Sequence, residues 1–254
     1  MVQIHAVPAF KDNYIWVLED GRHAVAVDPG DDAPVREFLG RTGLTLSAVL
    51  ATHHHADHVG GLVALAREWR CPTFGPAREQ VAGLDRRLSE GDRIVVPGLD
   101  LAFGVLDIPG HTAGHIAFAG DDLVFCGDTL FACGCGRLFE GTPTQMVDSL
   151  AKLARLPETT RVYCGHEYTL ANIRFAEAVE PANARLKERR AREQAKRDRG
   201  EPTLPSTMAE ELATNPFLRC TQPAVVAAAE QRAGRRLEAP VEVFTEIRNW
   251  KNSF

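Results

Sequence analysis

An α+β chain, with sheet layers covered by helices and a helical tail behind them, is what this sequence predicts, and three observations carry the prediction. Short apolar runs bounded by turn residues fill the first two-thirds, some joined as hairpins and others by helical crossovers. Beyond about Gly165 the helical period stands alone. The composition is that of a folded chain: 254 residues, 44% hydrophobic, 25% charged and 7% aromatic, enough apolar material for a sizeable core.

Taken in order, 14–19 and 23–28 read as strands separated by Asp20-Gly21, a hairpin signal, and Asp28-Pro29-Gly30 ends the second. Residues 31–39 read as a helix, with Val35, Phe38 and Leu39 at helical spacing. The short apolar stretch 46–51 reads as a buried strand, followed by a helix over 59–69. Strands are expected at 93–96, 99–106, 116–119, 123–126 and 161–164, with a helix over 145–156. The tail offers helices at 170–179, 182–199, 208–213, 224–233 and 241–251, and Gly200-Glu-Pro202-Thr-Leu-Pro205 breaks the second from the third. A boundary near residue 166 divides the chain into 1–166, carrying the catalytic groups, and 167–254, helical. Charge shifts there as well: 14 Lys/Arg against 21 Asp/Glu before it, 15 against 13 after it.

These features exclude several classes. No apolar run approaches the roughly 20 residues of a membrane span. The N-terminus lacks the basic start and apolar block of a secretory signal. Six cysteines (Cys71, Cys126, Cys133, Cys135, Cys164, Cys220) in such a chain read as reduced thiols, so a cytoplasmic protein is expected. A net charge of -5 does not suit a nucleic-acid binder. Residues 182–199 carry eight Lys/Arg against three Asp/Glu, but Glu188 with Arg192 and Glu193 with Arg197 are spaced for ion pairs, so a solvated helical face is expected.

The histidines carry the chemistry. His53, His54, His55 and His58 fall within six residues, immediately after the predicted strand 46–51, in the pattern His-x-His-x-Asp-His with Asp57. In an extended segment alternate residues share a side, so His53 and His55 can converge. Imidazole and carboxylate suit zinc or iron. Asp57 alone could be a helix N-cap, but so many ligand-type groups together have no structural use without a metal. Three further strand-end loops offer candidates: Pro109-Gly-His111-Thr-Ala-Gly-His115, Cys126-Gly-Asp128-Thr and Cys164-Gly-His166-Glu. Ligands gathered from loops along one sheet edge are what open layered sheets provide. No Gly-x-Ser-x-Gly elbow supports a serine triad. The Cys133-x-Cys135 pair reads as structural thiols.

The motif and the order of the later positions resemble the metallo-β-lactamase superfamily. The likeness is nearest to glyoxalase II, the hydroxyacylglutathione hydrolase family, through Ile4-His-Ala-Val-Pro-Ala-Phe-Lys-Asp-Asn13-Tyr14, Gly127-Asp-Thr-Leu-Phe131, Cys133-Gly-Cys-Gly136, Glu140-Gly-Thr142 and Cys164-Gly-His-Glu-Tyr-Thr169. It runs nearly end to end, tail included. It implies an αββα sandwich of two mixed β-sheets flanked by helices, with a C-terminal helical domain that helps bind substrate. It implies one metal on His53, His55 and His111, a second on Asp57, His58 and His166, and Asp128 bridging the two. His54 and His115 lie beside ligands but match no ligand position, and His5 and His23 read as ordinary strand residues. By the same resemblance Arg137, Phe139, Tyr168, Arg248 and Lys251 hold the glutathione moiety. Arg137 stands where the family commonly has lysine, and Phe139 where it commonly has tyrosine.

The implied activity is hydrolysis of S-(2-hydroxyacyl)glutathione, S-D-lactoylglutathione in particular, to glutathione and a 2-hydroxy acid such as D-lactate, the second step of methylglyoxal detoxification. Two divalent ions, zinc first with iron or manganese also compatible, can share a water and lower its pKa from about 15.7 to near 7. They can also stabilise the tetrahedral oxyanion. Asp57 would orient the metal-bound hydroxide. The leaving thiolate, with a pKa of about 8.5, departs without a strong general acid. A small-molecule thioester, a monomer, no membrane and no nucleic acid are the expected partner profile. The rival readings are a glutathione persulfide dioxygenase using a single iron, which needs only two histidines and a carboxylate, and an RNA-binding or RNA-cleaving protein of the same fold.

Overall fold

Strands that are apolar on both faces must be covered on both faces, and this requirement organises the chain. In the computed structural model, which describes residues 2–254, β1 (Gln3–Ala9), β2 (Asn13–Glu19) and β3 (His23–Val27) form an antiparallel meander, and β2 is buried along its whole length. The turn between β2 and β3 is held by Asp20 Oδ1, which accepts from the amides of Arg22 (2.9 Å) and His23 (2.7 Å). Three parallel strands extend the sheet: β4 (Thr45–Leu50), β5 (Thr73–Pro76) and β6 (Arg86–Leu88). Parallel pairing requires crossovers, supplied by α1 (Asp32–Thr42) between β3 and β4, and by α2 (Ala56–Val59) with α3 (Leu62–Trp69) between β4 and β5.

The alternation along β2 assigns its faces. Ile15 and Val17 point outward, into one core with Val35, Phe38 and Leu39 of α1 and Leu62 and Leu65 of α3. Tyr14, Trp16 and Leu18 point inward, into the main core between the sheets. The second sheet faces them: β7 (Arg93–Val95), β8 (Ala102–Asp107), β9 (Ile116–Ala119), β10 (Leu123–Gly127), β13 (Arg161–Cys164) and β14 (Ser206–Thr207), side by side in that order. Its Phe103, Phe118 and Phe125 are fully buried in the shared core, each contributing about 1.5–3 kcal/mol. A two-stranded ribbon, β11 (Leu130–Phe131) with β12 (Gly134–Cys135), lies between β10 and the crossover helix α4 (Pro143–Leu153).

The tail comprises α5 (Thr169–Val179), α6 (Ala184–Asp198), α7 (Met208–Thr214), a 3-10 turn at Pro216–Leu218, α8 (Pro223–Ala233) and α9 (Pro240–Ser253). It is not helical throughout, because β14 pairs antiparallel with β13; two residues are too few to show an alternating pattern. The helix expected over 59–69 is broken at Gly60-Gly61. A Cβ on Gly60 would stand 2.4 Å from Gly30 O, and one on Gly61 2.5 Å from Asp32 N, so the glycines let this turn press on the start of α1. Nor is α6 only a solvated face. Leu186, Arg189 and Glu193 are buried, and Arg189 Nη2 meets Glu211 Oε1 of α7 at 2.6 Å. Glu193 pairs within the helix, with Lys196 and Arg192, while Arg192 also reaches Glu210 of α7 and Arg197 reaches Glu167, so neither of the expected pairs, Glu188 with Arg192 or Glu193 with Arg197, is the one formed.

Candidate metal centre and substrate cavity

The ends of β4, β8, β10 and β13 lie together, and the loops leaving them carry the predicted ligands. Donor atoms of His53, His55 and His111 lie within 4.8 Å of one another, and so do those of Asp57, His58 and His166. Asp128, 6% exposed, stands between these two triads. Its Oδ2 lies 3.5 Å from His111 Nε2 and 3.3 Å from His166 Nε2, while Oδ1 lies 3.3 Å from His58 Nε2. All seven residues assigned to the two ions thus converge.

Hydrogen bonding at the outer nitrogens fixes which ring atom faces inward. His58 Nδ1 donates to Asp28 Oδ2 (3.1 Å), His111 Nδ1 to Arg137 O (2.8 Å) and His166 Nδ1 to Asp12 Oδ1 (2.8 Å). Thr52 gives its hydroxyl proton to Asp28 Oδ2 (2.7 Å), leaving its oxygen to accept from His53 Nδ1 (3.1 Å). Four Nε2 lone pairs therefore point into the cage. His55 is the exception, presenting Nδ1, 3.2 Å from His53 Nε2 and 3.0 Å from His111 Nε2. Asn13 Nδ2 donates to Asp57 Oδ2 at 3.0 Å. His115 stays outside: the Asp128 amide donates to its Nε2 (3.1 Å), its Nδ1 donates to Ile116 O (3.0 Å), and its ring stacks 4.5 Å from that of His53.

The charge balance is that of a cation site. Burial holds His53, His55 and His111 below the ordinary histidine range, in the neutral form that ligates. Burial works to raise Asp128, but His58 and His166 outweigh it and keep the carboxyl well below the usual range. His58 is held above its ordinary range because Asp128 and Asp28 overcome burial. His58 Nε2 and Asp128 Oδ1 are buried without a hydrogen-bond partner, a costly arrangement that a shared cation would satisfy. Backbone space fits as well. A Cβ on Gly165 would come within 2.6 Å of Asp128 Oδ1 and of His58 Cε1, so only glycine leaves the cage open there.

The cage forms one wall of a cavity of about 530 Å³ that is also lined by Phe131, Cys135, Arg137, Phe139, Tyr168, Asn172, Arg248 and Lys251. The five residues assigned to glutathione therefore share one space with the triads. Arg248, on α9, is 5% exposed, not a solvated helix end: Nη1 donates to Cys135 O (2.8 Å), Nη2 to Asn252 Oδ1 (3.1 Å), and Nε has no partner. Lys251 donates to Ala171 O (3.2 Å); burial, with Arg248 and Arg174 nearby, lowers it to about 8. The Tyr168 ring stacks 4.7 Å from that of His166. Phe139, 64% exposed, turns its ring edge-on to those of His55 and His111.

The tail also holds the ribbon in this wall. Glu211, fully buried, accepts at Oε2 from the Cys133 amide (2.7 Å) and from Asn215 Nδ2 (3.0 Å), and Asn215 also donates to Gly134 O (2.9 Å). Cys133 itself takes φ +59, and burial pushes its thiol up to about 12, which suits a structural role. Sequence reasoning missed Asp28, Thr52 and Glu79 as partners of the cage. The signal for Asp28 was the strand-ending Asp-Pro-Gly; Glu79 carries none. A larger cavity of about 1110 Å³ beside α8 is rich in alanine, and its Arg219 is already paired with both oxygens of Glu180.

With this geometry in place, comparison with known proteins is decisive. The family model described as metallo-beta-lactamase superfamily matches residues 10–166, and the one described as hydroxyacylglutathione hydrolase C-terminus matches 167–254. The hydroxyacylglutathione hydrolase of Alkalilimnicola ehrlichii is 58% identical over 99% of this chain and 99% of its own; that of Nitrosomonas europaea is 53% identical over 100% and 97%. The chain belongs to the hydroxyacylglutathione hydrolase family. Among solved structures, ETHE1 from Myxococcus xanthus superposes with a TM-score of 0.68 at 26% identity, covering 98% of this chain and 91% of that one. The fold is the metallo-β-lactamase sandwich, two mixed sheets flanked by helices. As a family member with these histidine and aspartate clusters, the chain is a site for divalent metal ions. Among the described residues, no helix is long and apolar enough to cross a membrane.

Proposed function

We propose that the chain hydrolyses S-(2-hydroxyacyl)glutathione, S-D-lactoylglutathione in the first place, to glutathione and a 2-hydroxy acid, D-lactate. One observation carries the reading: Asp128 stands between two triads of donors at one side of a cavity whose other side bears Arg137, Arg248 and Lys251. His53, His55 and His111 would hold one ion, Asp57, His58 and His166 the other, with zinc the proposed metal; when bound, the pair supplies a water acidified to near-neutral pKa and a positive field for the oxyanion. Asp57, fixed by Asn13, accepts a hydrogen bond from the attacking water and aims it at the carbonyl. Arg248 and Lys251 hold the substrate carboxylates, Arg137 adds charge at the mouth, and Tyr168 and Phe139 bound the tripeptide. The thiolate leaves without a proton donor, since its pKa is about 8.5.

In this scheme residues 1–166 form the catalytic domain and 167–254 the substrate-binding domain. The chain works as a monomer in the cytoplasm, where its six buried, unpaired cysteines stay reduced. Six of the seven Lys/Arg residues of α6 are engaged by carboxylates, which counts against a nucleic-acid partner. The test is absorbance-monitored hydrolysis of S-D-lactoylglutathione before chelation, after it, and after zinc is restored. Activity should vanish and return; a chain proven metal-free that still hydrolyses the thioester overturns the proposal, and oxygen uptake with glutathione persulfide would point to a dioxygenase instead.

A further inference from the structure

Between the ligands His53 and His55 stands a histidine that belongs to neither triad, and its ring sits between two carboxylates. His54 Nδ1 donates to Glu79 Oε2 at 3.0 Å, and Nε2 lies 3.2 Å from Glu140 Oε1. Each carboxylate uses its other oxygen on the loop that follows His111. Glu79 Oε1 accepts from the Thr112 hydroxyl and from the Gly114 amide (3.1 Å), and Glu140 Oε2 accepts from the Ala113 amide (2.8 Å). The Thr112 hydroxyl and the amides of Ala113 and Gly114 are thus tied, each through one of two carboxylates, to the same imidazole.

The clamp is built into the fold on both sides. Glu79 is 5% exposed, and its carbonyl accepts from Arg87 Nη1 at 2.9 Å. A Cβ on Gly114 would lie 2.6 Å from Glu79 Cγ, so glycine is what lets this carboxylate reach the loop. Glu140 is flanked by two backbone bonds onto the His111 loop, Phe139 N to His111 O and Gly141 N to Gly110 O, each 3.2 Å. The need for such a clamp is local to one triad. His58 and His166 have carboxylates on their outer nitrogens, whereas His55 has no partner on its Nε2 among the described residues.

We propose that His54 is a positioning residue which, through Glu79 and Glu140, locks the His111 loop against the 53–55 segment and so preforms the first cation position, His53 with His55 and His111, while leaving the second position independent. This rests on the binuclear reading above. Outer partners of metal-ligating groups are typically worth about 10–100-fold in metal affinity, and that is the expected loss at one ion only.

The experiment is a zinc titration of the metal-free chain against a chromophoric chelator, with zinc per chain measured by elemental analysis after dialysis. Wild type should hold two ions. His54→Ala should hold one tightly and the other about 10–100-fold more weakly. Glu140→Ala, at the accessible jaw of the clamp where folding is not at stake, should show the same one-ion loss to a smaller degree. If both variants retain two ions with wild-type affinity, or lose both ions in parallel, the clamp is overturned. A wild-type chain that holds only one ion overturns the binuclear reading and the clamp with it.

Discussion

The two sides of the cavity are built on different plans. On the cage side, the seven residues proposed to hold the ions come from strand-end loops of the two sheets, and the outer nitrogens of His53, His58, His111 and His166 are hydrogen-bonded. On the opposite side, Tyr168, Arg248 and Lys251 come from the helical tail, Arg137 and Phe139 are exposed, and the Nε of Arg248 has no partner. The cage is preorganised by a continuous network, as chemistry requires; the wall proposed for recognition is looser, leaving Arg248 Nε unspent and Arg137 exposed beside donors that each meet only a single protein residue. Changes in the cage should therefore register in turnover and metal content, and changes in the wall in KM.

The largest effect tests the cage. Asp128→Asn removes the one charge that touches both triads and should lower kcat by at least about 10²-fold, with zinc per chain falling below two; turnover near wild type with full metal would dissolve the distinction. Next comes the wall. Arg248→Ala deletes a charge-assisted contact of about 1.5–3 kcal/mol, so KM should rise roughly 10- to 100-fold while kcat stays within about threefold. A comparable fall in kcat would place Arg248 in the chemistry instead.

Lys251 gives the wall a pH signature of its own, read in KM. With its pKa lowered to about 8, the ammonium is present below that pH and lost above it, so KM for the anionic thioester should climb as pH rises through about 8. Lys251→Arg, which cannot deprotonate, should flatten the climb; an unchanged profile would separate Lys251 from substrate charge. The smallest effect is at Phe139. Phe139→Tyr adds a hydroxyl worth about 0.5–1.5 kcal/mol if it finds the tripeptide, lowering KM by roughly two- to tenfold. No change would mean that this rim position touches substrate only through its ring.

The cage was more legible in the sequence than the network behind it. Histidines at alternate positions after a strand announce themselves, and His111, Asp128 and His166 each follow a recognisable short strand. Asp28 and Glu79 do not, since a lone carboxylate acquires its role only when another segment arrives beside it. Glu79 lies 25 residues from His54 in sequence, and no local pattern connects them. The tail helices were readable because the 3.6-residue period persists over two or more turns, and their ends fell within two residues of expectation. The strands at 73–76, 86–88, 130–131, 134–135 and 206–207 are two to four residues long, too short for alternation to show, and exist because a neighbouring strand offers its edge. Gly60-Gly61 was read through as helix; its break is dictated by the backbone of 30–32, a contact distant in the chain.

The pairing of Ser206–Thr207 with Arg161–Cys164 has a consequence for how the gene product can be divided. Cutting after residue 166 would strip the outermost strand and leave an open row of amides and carbonyls, the kind of rim that recruits other chains. It would also bare Val162 and Tyr163 where Met208 and Phe217 now share their core. The front part of this chain expressed alone should precipitate rather than survive as a minimal hydrolase.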